Sequence, residues 1–234
     1  MKVGIIQSSY IPWRGYFDFI DEVDLFIFLD DTQYTRRDWR NRNRIKTKDG
    51  TMWLSVPVNV KDRDALINEV RIDHAQPWAN QHTKSLQRCY AKAPYFEQYY
   101  PELFALPQSR PTLLSDLNIA LIRWITKQLG INTPLLISAD LQAHGSKTGR
   151  LIDLLKKVEA DCYVSGPAAK GYLDVEMFRK NRIRLEYKSY DYPPYPQLWG
   201  DFIGNVSVLD LLFNVGSDAR DFLKSRTPNE VAVP

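Results

Sequence analysis

The sequence predicts an α/β fold: a mainly parallel, Rossmann-like sheet flanked by helices, with a helical insertion in the middle of the chain. Three observations carry this. Short apolar runs bounded by turn residues recur along the 234 residues and alternate with segments of helical spacing, the pattern of strand–helix–strand units. The stretch 76–130 is instead almost wholly helical in its spacing. The first two apolar runs, 3–6 and 25–29, each end directly on dense polar chemistry. Strands do this where their carboxyl ends border a ligand crevice.

In chain order, residues 3–6 (VGII) form a strand and 7–16 a polar, aromatic loop. A short amphipathic segment leads to a second strand at 25–29, which ends on Asp30, Asp31 and Gln33. A basic, Asn-rich, aromatic run begins at Tyr34. Residues 53–58 (WLSVPV) form a strand with Pro57 at its end or edge, since proline cannot donate to a ladder. Residues 61–64 are a charged turn, and 70–72 a short strand ending at Asp73 and His74. Trp78, His82, Leu86 and Cys89 or Tyr90 recur at helical spacing over 76–91, and Pro94 stops that helix. A second short helix covers 95–104, and 107–111, with a proline at each end, reads as a linker. Residues 112–129 form the clearest helix, with Leu113, Leu117, Leu121, Trp124 and Ile125 inward and Gly130 at its stop. A strand at 135–138, a helix at 147–160, strands at 162–165 and 183–187 around a helix at 175–181, and a last helical turn or two at 207–213 complete the alternation. Residues 225–234 are expected to fray. With no internal repeat or low-complexity tract, residues 1–234 read as a single domain and 76–130 as a helical insertion or cap within it.

At 44% hydrophobic and 25% charged residues the chain has ample apolar content for a core. A net charge of +3 is mild for a nucleic-acid binder. The basic cluster from Arg36 to Lys46 is local and interleaved with Asp38, Asn41 and Asn43, which favours a compact anionic ligand over a long polyanion. Cys89 and Cys162 have no CxxC neighbour, so neither a zinc knuckle nor a redox pair is signalled, and they suit a reducing cytoplasm. No apolar run reaches the roughly 18 residues of a spanning helix, and MKVGIIQ reads as a strand rather than a signal peptide. The expectation is a soluble cytoplasmic protein that takes a small-molecule substrate, without a nucleic-acid partner or membrane insertion. Its oligomeric state is not legible.

Asp30 and Asp31 stand where a buried strand ends. Such carboxylates can serve as a general base or bind Mg²⁺, or satisfy turn donors. Asn41, Arg42 and Asn43 offer forked donors that match phosphate or carboxylate, beside Trp39 and Trp53. His82 is the best-placed of three histidines for acid–base work at neutral pH, against the plainer reading of a satisfied helix residue. No two histidines are spaced i,i+3 or i,i+4, so no metal centre is expected, and the sequence names no cofactor. Ser165, Gly166 and the residues through Gly171 form a small-residue loop whose backbone could approach an anion, with Lys170 adding a charge and Tyr172 beside it. It is neither a P-loop nor GxGxxG. Tyr192, Pro193, Pro194, Tyr195 and Gln197 make a rigid aromatic loop, suited to a lid or sugar-stacking wall, or to a packed connection.

The ordered set of Gln7, Tyr10, Pro12, Trp13, Gly15 and Tyr16; Asp30, Asp31 and Gln33; Trp39, Asn41, Arg42 and Asn43; Trp53; Trp78 and His82; Ser165, Gly166 and Tyr172; Tyr195 and Gln197; and the closing run Ser207 to Gly216 resembles the WbqC-like protein family over nearly the whole chain. Ser8 and Ser9 stand where the family pattern would have a proline near Tyr10. The resemblance implies a setting among genes for O-antigen and other surface glycans, and for one branch a glycine or other aminoacyl transferase role. The order strand, PWRGYF, helix is also similar to the first unit of adenylyl-transferring HUP-type enzymes such as pantoate–β-alanine ligase. Those carry an HxGH motif there. Gly15 is present but both histidines are missing, which excludes histidine-based phosphate stabilisation at this position.

Taken together, these readings point to an acyl or aminoacyl transferase acting on a nucleotide-linked amino sugar. His82, Asp30 and Asp31 are the candidate catalytic residues. The candidate substrate-binding residues are Gln7, Tyr10, Trp13, Tyr16, Gln33, Trp39, Asn41, Arg42, Asn43, Ser165, Gly166, Lys170, Tyr172, Tyr195 and Gln197. The alternatives are an ATP-dependent carboxylate-activating or nucleotidyl-transfer enzyme of HUP-like fold, and a non-catalytic glycan-precursor-binding or scaffold protein.

Overall fold

A computed structural model describes residues 1–60 and 62–234. Its regular elements, in order, are β1 (Lys2–Ile6), α1 (Arg14–Glu22), β2 (Leu25–Phe28), β3 (Arg42–Thr47), β4 (Gly50–Ser55), β5 (Val58–Asn59), β6 (Arg71–Ile72), α2 (Trp78–Tyr90), α3 (Phe96–Gln108), α4 (Leu114–Gln128), β7 (Leu135–Ile137), α5 (Lys147–Lys157), β8 (Cys162–Ser165), α6 (Val175–Lys180), β9 (Arg184–Tyr187), α7 (Val208–Val215) and β10 (Glu230–Val233), with short 3₁₀ turns between them.

The central sheet runs β10-β9-β8-β1-β2-β7, parallel throughout except for the antiparallel edge strand β10. From β1 the chain builds outward through β2 to β7, then returns to the other side of β1 for β8 and β9. The order therefore reverses between β1 and β8, the switch point at which doubly wound sheets bind ligands.

Side chains alternate across the sheet as strand geometry requires. Val3, Ile5, Leu25, Ile27, Tyr163 and Leu185 point to one face and pack with Leu151, Leu154 and Leu155 of α5 and Phe178 of α6. Phe26, Phe28 and Val164 point to the other, where α1 supplies Phe17, Phe19 and Ile20, and residues of α2, α3, α4 and α7 extend the same core. A Cβ at Gly4 would stand 2.3 Å from the Phe19 ring, so the glycine lets α1 lie close on β1.

Four local expectations are corrected. The basic run after Tyr34 folds back as β3, which pairs antiparallel with β4. The strand expected at 53–58 is split by Pro57, whose carbonyl instead receives the Asp73 N–H at 2.9 Å. The linker expected from 107 begins later, because α3 continues through Pro101 and Pro107 to Gln108. Each proline forfeits a helical bond, and burial of Tyr99, Leu103, Phe104 and Pro107 offsets that loss. Nor does 225–234 fray. Glu230–Val233 pairs with β9, and Arg226 and Thr227 are anchored on Asp191. The charged turn expected at 61–64 begins on a residue outside the described ones.

At the end of α7, Gly216 adopts φ +70°, and a Cβ there would meet the Tyr95 ring at 2.4 Å. Gly200 is also left-handed, at φ +63°, but has nothing within 4 Å. Gly216→Ala should therefore cost roughly 2–4 kcal/mol, the left-handed penalty plus overpacking, while Gly200→Ala carries only the first. Urea denaturation of the two variants checks this, and equal losses would refute the packing argument.

Candidate functional site

The site is organised by the loop that follows β1. The Ser8 N–H donates to Asp30 Oδ1 at 2.7 Å, and Ser115 Oγ donates to Asp30 Oδ2 at 2.5 Å. Arg40 Nη1 donates to the Ser8 carbonyl at 2.9 Å, and Asn118 Nδ2 bridges Ser8 Oγ and the Arg40 carbonyl. The Tyr10 N–H reaches the Trp39 carbonyl at 3.0 Å. Asn43 Nδ2 donates to the carbonyls of Tyr10 and Ile11 at 3.2 and 2.9 Å. Those bonds hold Ile11 at φ +36°, a conformation that costs a β-branched residue about 1–3 kcal/mol. Tyr16 Oη closes the near side by donating to the Gln7 carbonyl at 3.1 Å.

His82 supports this loop from α2. Its Nδ1 lies 2.8 Å from Tyr10 Oη, and its ring packs edge-on against Trp78. Burial lowers its pKa from the usual 6.5 to about 4, with a hydrogen bond to the Ser55 backbone opposing the fall. The imidazole is thus neutral at pH 7. Both Asp30, 1% exposed, and His82 are turned toward the loop rather than the solvent.

Two groups face outward. Gln7 stands half-buried at the carboxyl end of β1, opposite Ser165 and Gly166 at the end of β8. Trp39 and Trp53, 42% and 44% exposed, stand 5.5 Å apart on the hairpin side. The Arg42 guanidinium lies 4.4 Å from the Trp53 ring, and that of Arg44 lies 5.5 Å from Trp53 and 5.9 Å from Trp39. Around this platform Asn41 Oδ1, Arg42 Nε, Arg44 Nε and Asn118 Oδ1 are buried and have no hydrogen-bond partner among the described residues. Native folds rarely leave such groups unpaired, so the cluster marks where polar partners are wanted. Asp31, at the end of β2, is held by Ser138 of the β7 end and by Arg150 of α5.

The remaining predicted residues fall elsewhere. Tyr195 and Gln197 belong to a buried network around Asp210. Tyr195 Oη donates to Asp210 Oδ1 at 2.9 Å, Gln197 Nε2 to the same atom at 2.7 Å, and Tyr90 Oη to Oδ2 at 2.8 Å. Lys46 Nζ donates to Gln197 Oε1 and the Asp201 carbonyl. Burial raises the Asp210 pKa against those bonds and lowers that of Lys46. Gln33 bonds Arg63 and Asp64 away from the β1 loop. Lys170 pairs with Glu230, and Tyr172 is largely exposed. Trp13 packs on Tyr190 and Tyr192, beside Arg14, whose guanidinium lies 4.7 Å from the Tyr192 ring.

Sequence reasoning missed Arg40, Ser115 and Asn118 as loop anchors, and Lys46 and Asp210 as buried partners. Only Asp210 carried a signal, as a lone acid inside the apolar run VLDLLF.

Residues 7–222 match the family described as the WbqC-like protein family. The chain is also 48% identical, over 226 residues, to the uncharacterized protein Rv1507c of Mycobacterium tuberculosis (strain ATCC 25618 / H37Rv), covering 95% of this chain and 97% of that one. This chain belongs to the WbqC-like family. No solved structure matches it. In this WbqC-like chain no helix among the described residues is long and apolar enough to cross a membrane.

The depressed His82 pKa has a definite sign. The unfolded chain takes up the proton near pH 6.5 and the folded one only near 4. The stabilisation is therefore complete above pH 6.5 and is lost as pH falls toward 4, by about 3 kcal/mol. His82→Gln removes this slope. The raised carboxyls of Asp18 and Asp210 act with opposite sign but equally in both proteins. Urea titrations at pH 7 and 4 should show a smaller pH loss in the variant, and parallel losses would dismiss the assignment.

Proposed function

We propose that this protein is a transferase that binds a nucleotide-linked amino sugar and moves an acyl or aminoacyl group, glycine-type, onto its amine during O-antigen or other surface-glycan biosynthesis. The observation that carries the reading is the Trp39–Trp53 platform with Arg42 and Arg44 against it and unpartnered polar atoms around it. Aromatic faces take a planar base, and guanidinium forks take the diphosphate. The platform is tied to the carboxyl edge of the sheet through the Tyr10–Trp39 bond, so a ligand stacked there extends toward Gln7, Ser165 and Gly166 at the switch point.

In the transfer step the sugar amine attacks the carbonyl carbon of an activated acyl or aminoacyl ester or thioester, the C–N bond forms as the donor's C–O or C–S bond breaks, and the carrier leaves. The amine proton needs an acceptor and the transient oxyanion a donor. Asp31, at the same end of β2 but less buried than Asp30 and held in place by Ser138 and Arg150, takes the proton in this reading, whereas Asp30 and His82 act as positioning residues that fix the β1 loop. In this reading residues 76–130 are a helical insertion within a single domain, closing over the loop through His82, Ser115 and Asn118. The protein works in the cytoplasm, among activated sugar precursors.

Trp39→Ala and Trp53→Ala should each weaken binding of UDP-linked amino sugars by about 1–3 kcal/mol, while leaving the melting temperature nearly unchanged because both rings are substantially exposed. Calorimetric titration measures it. Undiminished affinity in both variants would remove the platform from the site. Pyrophosphate release from ATP with a carboxylic acid would replace acyl transfer with carboxylate activation.

A further inference from the structure

We infer that the cavity at the carboxyl ends of β8 and β9 is a binding subsite for a neutral saccharide ring. The cavity has a volume of about 390 Å³, within the range of ligand pockets, roughly 300–1,000 Å³. Pro167, Lys170, Tyr187, Lys188, Tyr190 and Asp191 form much of its wall. It lies one strand beyond the β1–β8 switch point. Its sugar would be that of the substrate proposed above, so the inference rests on that reading.

The charge pattern selects the ligand class. Lys170 pairs with Glu230, Lys188 with Asp18 and Glu22 at 2.7 and 2.6 Å, and Asp191 with Arg226 at 2.6 Å. Every charge in the wall is matched within the protein. The cavity therefore offers many hydrogen-bonding groups but no spare charge for an anion, and Tyr190 and Pro167 add apolar surface to its wall. A polyhydroxylated ring meets both demands.

Two further observations ask for an occupant. Tyr187 is 4% exposed, and its Oη is buried with no hydrogen-bond partner among the described residues. A buried hydroxyl left unpaired costs stability, and a ligand hydroxyl would satisfy it. Burial raises its pKa, so it is a neutral donor. The Lys170 ammonium lies 5.4 Å from the Tyr187 ring centroid. At the rim, Gly166 has an ordinary φ of −71°, and a Cβ added there would meet nothing within 4 Å. Nothing in the fold demands glycine at that position, whereas a ligand approaching the backbone would.

The test is an amide-resolved NMR titration with free N-acetylglucosamine and galactose at millimolar concentration, on the wild-type chain and on Tyr187→Phe, Gly166→Val and, as a control on the exposed side of α3, Glu97→Gln. The amides of 166–171 and 187–191 should shift in the wild type. Tyr187→Phe should bind about tenfold more weakly yet melt at a higher temperature, since it removes the unpaired hydroxyl. Gly166→Val should also weaken binding, and Glu97→Gln should match the wild type. Absence of shifts at those amides, equal affinity in Tyr187→Phe, or inorganic phosphate binding there in place of the sugars would each overturn the subsite. Because no nucleotide is present, failure here is separate from failure of the Trp39–Trp53 platform.

Discussion

The Asp30 carboxylate is the constraint on which the carboxyl edge of the sheet depends. Withdrawing a charge from water is costly unless it is hydrogen-bonded, and here the Ser8 N–H and the Ser115 hydroxyl take up its two oxygens. One side chain at the end of β2 thereby fixes the chain leaving β1 and the start of α4. The Asp30 carbonyl also receives the Asn68 N–H at 2.9 Å, which joins the small β5–β6 region to the same point. From Ser8 the order passes to Arg40 and Asn118, and from there to the segment that carries Trp39.

A second buried carboxylate, Asp210, does the corresponding work on the other side of the hairpin. It gathers Tyr90 of α2 with Tyr195 and Gln197 of the aromatic loop, and Gln197 in turn holds Lys46 of β3. All of the donors to Asp210 are neutral side chains, and Lys46 is linked to it only through Gln197, so the carboxyl is held by directed dipoles rather than by a bonded counter-ion. The hairpin is pinned at both ends: Asn43 holds the loop of one network, and Lys46, three residues on, belongs to the other. That double attachment keeps an exposed aromatic pair in a fixed place.

The parallel sheet was legible because most of its strands carry short apolar runs that stop abruptly on polar or small residues, as at Phe28 to Asp30 and Val164 to Gly166. The β3 strand was not, because its alternation is built from Arg, Asn and Lys, whose burial depends on partners distant in sequence. The β10 strand was hidden for a similar reason, since four residues show no period until β9 is beside them. At the candidate site, residue types singled out Gln7, Tyr10, Trp39 and Asn43, which the fold gathers around the loop after β1. They could not tell a group that holds the loop from one that faces the solvent. For Asp30 and His82 that distinction rests on Ser115 and Tyr10, whose proximity only the folded chain creates.

The position of β1 also governs how the molecule is assembled. Val3 pairs with Leu25 on one side and with Tyr163 on the other. The first contact is local, but the second waits until most of the chain has been synthesised. Such long-range parallel pairing is slow, and an unpaired apolar edge is open to association with other chains meanwhile. The helices α2, α3 and α4 are made during that interval and can bury one face of the β1–β2 pair, but they cannot cover its edge. Crowding of nascent chains should therefore threaten this protein most just before β8 emerges.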